Sequence, residues 1–143
     1  MSAFPDIRTL VPHAGTMCLL ARIVSADDRG IVCATTSHRA PDNPLRRDGT
    51  LAALHLAEYG AQAMAAHGGL QDAGAAARGG MLVAIRDLTL HVERLDDIEG
   101  ELQVSATKLV ANADGRIYSF VASGRGRELG RGRVSVMMGI GPK

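Results

Sequence analysis

The stretch TLAALHLAEYGAQAMAAHGG, residues 50–69, decides how this chain is read. It is rich in Ala and Leu, has no β-branched residue beyond Thr50, and stops at Gly68-Gly69. Those features predict a helix of about five turns with a glycine exit. Asp48 or Thr50 is the expected N-cap. The segment is apolar on nearly every face, which predicts burial rather than a surface position. It nevertheless carries His55, Glu58 and Gln62, spaced i, i+3 and i+7, which form one polar line along the helix. A carboxylate in a buried helix needs either a function or a bonded partner.

Upstream, MCLLARIVSADDRGIVCATTSH begins at Met17. Two strand-like runs flank Asp27-Asp28-Arg29-Gly30, a turn sequence that predicts a hairpin. Residues 3–10 read as a short helix with Pro5 near its start. Residues 38–49, HRAPDNPLRRDG, carry two prolines, Asn, Asp and Gly and read as an irregular loop. Downstream, residues 71–79 read as a small-residue loop. Long strands then run to the end, with turns expected at Asp96-Asp97, at residues 112–115 and at residues 128–130. Sequential antiparallel neighbours are the simplest arrangement.

The order is hairpin, loop, buried helix, then a meander. One strongly curved antiparallel sheet wrapped around one long central helix satisfies it. This is an α+β hot-dog fold, a single domain over residues 1–143, and it is expected to pair as a homodimer at least. Length and composition agree: 143 residues, 46% hydrophobic and 22% charged, with no Trp. The net charge of +1 excludes generic nucleic-acid affinity. Cys18 and Cys33 are expected as reduced core thiols, and no His/Cys cluster has metal-ligand spacing, so no metal and no cofactor are expected. The N-terminal residues read as neither a signal peptide nor a membrane span, which predicts a cytoplasmic protein.

Three segments carry a resemblance: LVPHAGTMCLLARIV near the start, NP…G in the loop, and LHLAEYGAQAMAAHGGL in the helix. Together they resemble the 3-hydroxyacyl-acyl-carrier-protein dehydratases, and most closely the branch linked to aryl polyene clusters. The closing strands fit that branch as well. The resemblance implies a dimer with active sites at its interface and a thioester substrate reached through a tunnel. It implies a loop histidine acting on the α-proton and a helix acid handling the departing hydroxyl. Glu58 falls on the helix acid, and His13 falls in the PH opening. The family's G-H-F-P loop is replaced by NPLRRDG, residues 43–49, and Ala21 stands where the opening motif has Asp.

Dehydration of a 3-hydroxyacyl thioester needs a base, an acid and donors for the enolate oxygen. Glu58 is the expected acid. His13 and His55 compete as the base, His55 lying one turn before Glu58. Backbone N–H groups around Thr50 and Leu51, at the expected helix start, are the candidate donors to the thioester oxygen. Asn43 is expected to shape the loop beside the substrate, and Gln62 to orient Glu58 or hold a loop. His67 is expected as a cation capping the helix end, and His38 and His91 as surface residues.

Arg116, Arg125, Arg127, Arg131 and Arg133 face one acid, Glu128, in the closing strands. This excess reads either as a docking rim for an acidic acyl carrier protein or as edge protection. Three functions fit: a dehydratase of carrier-bound 3-hydroxyacyl thioesters, a hot-dog thioesterase, or a silent dehydratase-like subunit forming a heterodimer with an active paralogue.

Overall fold

A computed structural model describes residues 4–11, 15–71 and 80–138. Two strands, β1 (Arg22–Ala26) and β2 (Gly30–Thr35), precede the helix α1 (Leu56–Gln71). Four follow it: β3 (Gly80–Leu90), β4 (Leu102–Ala111), β5 (Gly115–Gly124) and β6 (Arg127–Met138). All pairs are antiparallel, in the order β1-β2-β4-β5-β6-β3. The hot-dog arrangement expected from the sequence is therefore the arrangement observed.

The sheet packs on α1 through alternate residues. Leu102, Val104 and Ala106 of β4 and Tyr118, Phe120 and Ala122 of β5 are all buried. Contact is closest at Phe120. A Cβ placed on Gly60 would lie 2.5 Å from its ring, and one on Gly132 would lie 3.0 Å away. Two glycines, one on the helix and one on β6, thus admit this ring, one of three large buried rings with Tyr59 and Tyr118, and its burial contributes about 2 kcal/mol or more.

Hydrogen bonding at the hairpin tips follows the sequence. Asp27 Oδ1 accepts from the N–H groups of Arg29 and Gly30, and Asn112 Oδ1 accepts from those of Asp114 and Gly115. A short polar side chain that satisfies the turn's own backbone selects these positions.

Several expectations are corrected. The helix starts at Leu56 rather than Thr50, after a 3-10 turn at Ala53–His55. Asp48 is no cap: with φ 52°, and Gly49 with φ 77°, it forms a tight turn whose flanks Arg47 and Thr50 exchange backbone hydrogen bonds. Asp-Gly favours that turn, which has φ positive at both central residues, so it wins over a cap. The helix runs through Gly68 and Gly69 to Gln71 because Gly69 is needed for contact: a Cβ there would sit 2.9 Å from the Leu10 carbonyl oxygen. Near the N-terminus, Ile7–Thr9 is a 3-10 turn capped by Asp6, not a helix.

Sequential pairing holds for β4, β5 and β6 but not for β3, which pairs with β6 at the free edge. The expected turn at Asp96-Asp97 is present, with Ile98 N–H donating to the Leu95 carbonyl at 3.0 Å, but it sits inside a longer return over residues 91–101 in which Leu95 and Ile98 are buried. The β5–β6 turn falls at Arg125-Gly126, both with positive φ, and not at residues 128–130. Both cysteines are free thiols; Cys33 is buried and its thiol is pushed up to about 12 by desolvation, while Cys18 is half-buried.

Candidate active site

Glu58 sits in the first turn of α1, on its least covered side. Leu54 is 56% exposed, and Ala57, Glu58, Ala61, Ala65 and Gly68 are half-buried, whereas the other sides of the helix are packed. The all-round apolarity read from the sequence therefore hides two surfaces, one filled by the sheet and one left open. The carboxylate makes no hydrogen bond or ion pair with any described residue. Leu88 and Leu90 on the edge strand β3 are each 37% exposed. Glu58 is thus a half-buried acid with no partner among the described residues, on an open apolar helix face.

The polar line through His55, Glu58 and Gln62 divides. Gln62 is buried and turned toward the N-terminal segment, where its Oε1 accepts from Leu19 N–H at 2.8 Å and its Nε2 donates to the Met17 carbonyl. It holds a loop, and Glu58 is not its partner. His55 is half-buried, and its imidazole, like the Glu58 carboxylate, has no hydrogen-bond partner among the described residues. His13 lies outside the described residues.

Thr50 and Leu51 do not offer the expected donors. Thr50 N–H donates to Arg47, Leu51 N–H to the Asp96 carboxylate and Ala53 N–H to Glu93. Those groups belong to an extended segment before the helix, not to its N-terminus, and Leu51 is wholly buried in the core. Asp96 also pairs with Arg94, and that guanidinium holds its carboxyl well below the usual range. Asn43 is buried, with Nδ2 donating to the Ser37 carbonyl and Tyr59 hydroxyl and Oδ1 accepting from Leu45 N–H. It shapes the loop and has no free face for substrate.

Two histidines are corrected. His67 does not cap the helix end: it is fully buried, bonded through Nδ1 to the Tyr118 hydroxyl and through Nε2 to the Asp27 carbonyl at 2.7 Å. Continuation of α1 to Gln71 places it inside the core. His38 is not a surface residue; it is fully buried with Nε2 donating to the Ile98 carbonyl at 2.8 Å, and desolvation lowers its pKa. His91 is exposed and pairs with Glu128. Of the described histidines, only His55 has an imidazole without a partner among the described residues.

Pairing reduces the arginine excess. Arg125 pairs with Glu99 at 2.8 Å, Arg131 with Glu128 at 2.5 Å and Arg133 with Asp87 at 3.7 Å. Arg127 alone among these strand-end arginines lines a surface recess with Arg94, Arg125, Asp97 and Glu99 while forming no ion pair among the described residues. Sequence reasoning missed Tyr59, whose buried hydroxyl bonds to Ser37 and Asn43. Its presence in a helix of an aromatic-poor chain was the available signal.

The profile of the ApeP-like dehydratases, described as ApeP dehydratase, matches residues 5–139. The chain belongs to that family. Its fold is that of a chain of "The Dehydratase Heterocomplex ApeI:P from Xenorhabdus doucetiae", with a TM-score of 0.83 and 21% identity over 98% of this chain and 93% of that one. Zebra fish thioesterase superfamily member 2 superposes with a TM-score of 0.65 and 16% identity, covering 93% of each chain. A hypothetical thioesterase protein with coenzyme A from Streptococcus pneumoniae TIGR4 gives 0.56 at 14% identity, over 82% of this chain and 84% of that one. No curated protein sequence matches. Among the described residues of this ApeP-like chain, no helix is long and apolar enough to cross a membrane.

Proposed function

We propose that this ApeP-like chain dehydrates 3-hydroxyacyl thioesters presented by an acyl carrier protein, with Glu58 protonating the departing hydroxide. The observation that carries the proposal is the half-buried, unpartnered Glu58 carboxylate on the open face of α1. A base removes the α-proton, the thioester carbonyl takes the developing charge, and the C–O bond breaks as Glu58 gives its proton to the hydroxyl. His55 and His13 are the candidate bases within this chain.

A second reading, pairing with a paralogue that supplies the missing group, is favoured by a specific observation. His38 and His67 are locked in the core and His91 pairs with Glu128, so the described residues offer Glu58 no imidazole except that of His55, in the 3-10 turn just before α1. The free edge of β3 and the open helix face leave room for a second chain.

The test is product formation from a 3-hydroxyacyl thioester by the chain alone and mixed with a dehydratase-family partner. An α,β-unsaturated thioester that is lost in Glu58→Gln supports the proposal. Release of free thiol instead would identify a thioesterase, and full activity in Glu58→Gln would remove Glu58 from the chemistry.

A further inference from the structure

A chain of hydrogen bonds beside Glu58 runs in one direction. Thr35 Oγ1 and Ser37 Oγ both donate to the Leu19 carbonyl, each at 2.6 Å. Ser37 has one hydroxyl proton, and it goes to Leu19, so the 2.9 Å contact between Ser37 and Tyr59 has the phenol as donor. The Tyr59 oxygen in turn accepts from Asn43 Nδ2 at 3.2 Å. Asn43 closes its own loop through Ser37, Leu45 and Arg46. Tyr59 is thus the one side chain of α1 that bonds to residues 37–49 among the described residues, and it adjoins Glu58 in the chain.

We infer that Tyr59 is a positioning residue for the reaction proposed above, its hydroxyl fixing the 37–49 loop against the helix turn that presents Glu58. The inference rests on that proposal. With the hydroxyl in place, the loop held to the first turn of α1 through Tyr59 is formed before substrate arrives. Without it, the loop must be ordered on binding, a cost paid equally by bound substrate and transition state. The phenol ring is wholly buried and packs in the core whether or not it carries oxygen, so Tyr59→Phe isolates the hydrogen bonds.

The experiment compares wild type, Tyr59→Phe and Glu58→Gln in steady-state turnover of a 3-hydroxyacyl thioester and in amide hydrogen exchange. For Tyr59→Phe, which loses the bonds to both Ser37 and Asn43, KM is expected to rise at least about five- to tenfold, with kcat changed less than twofold. Exchange at the amides of Asn43 and Arg46 is expected to accelerate. A lower melting temperature with KM unchanged would reduce Tyr59 to packing and overturn the inference. So would a loss confined to kcat, because the hydroxyl would then act in the chemistry itself. Unaltered exchange in residues 37–49 overturns it without reference to turnover. Full activity in Glu58→Gln would instead sink the proposed function and leave the exchange result standing.

Discussion

The side-chain amide of Gln62 grips the Leu19 peptide and the Met17 carbonyl together, one helical turn beyond Glu58. The helix that presents the acid is therefore also the anchor of the segment that follows the PH opening.

Replacing Gln62 by Leu leaves Leu19 N–H and the Met17 carbonyl without their partner. Stability is expected to fall by about 1–3 kcal/mol, because one buried and one part-buried backbone group lose their bonds at once. Urea denaturation measures it. A change below about 0.5 kcal/mol would mean that water replaces the amide freely.

His38 makes stability depend on pH. Its folded pKa is lowered first by desolvation and further by Arg39 and Arg46, against opposing contributions from the Ile98 carbonyl and Asp96. The unfolded chain therefore takes up a proton first as pH falls from near 6.5, and the stability present above that pH is lost. The wild-type loss between pH 7 and 5 is expected to exceed that of His38→Gln, whose amide can still donate to Ile98. Parallel pH curves for the two proteins would contradict this.

Gly60→Ala drives a methyl group into the Phe120 ring, where the Cβ distance would be 2.5 Å. The cost is expected at about 1–3 kcal/mol, and Phe120→Leu in the same chain should recover part of it. Strict additivity of the two changes would show that the glycine and the ring do not meet in solution.

Arg127 tests the carrier reading. Its charge is not paired among the described residues, so Arg127→Ser is expected to slow association of carrier-bound substrate while sparing a short soluble thioester. The difference should shrink in high salt, since exposed charges are screened beyond ~10 Å at 0.1 M ionic strength. Equal effects on both substrates would argue against docking there.

The sheet-and-helix architecture is legible because it depends on coarse patterns: two strand runs around Asp27-Asp28-Arg29-Gly30, one apolar helix, then strands. Boundaries are less so. Asp48-Gly49 fits both a cap and a tight turn, and only the pairing of Arg47 with Thr50 decides between them. Glu58 is legible as a charge in an apolar helix, whereas the open face around it is not, because the helix reads as apolar on nearly every side. The fate of Gln62, Asn43 and the buried histidines depended on residues 40 or more positions distant or on loop closure, which local spacing does not contain. His67 shows this best, since its partners Asp27 and Tyr118 lie on two different strand hairpins.

The two thiols differ enough in surroundings to serve as a clock for the Gln62 anchor. Cys33, buried and pushed up to about 12, offers almost no thiolate to an alkylating reagent at neutral pH. Cys18 is half-buried and immediately precedes the clamped Leu19. Its labelling rate under native conditions therefore reports how often residues 17–19 let go of the helix, one cysteine at a time and without an engineered tag.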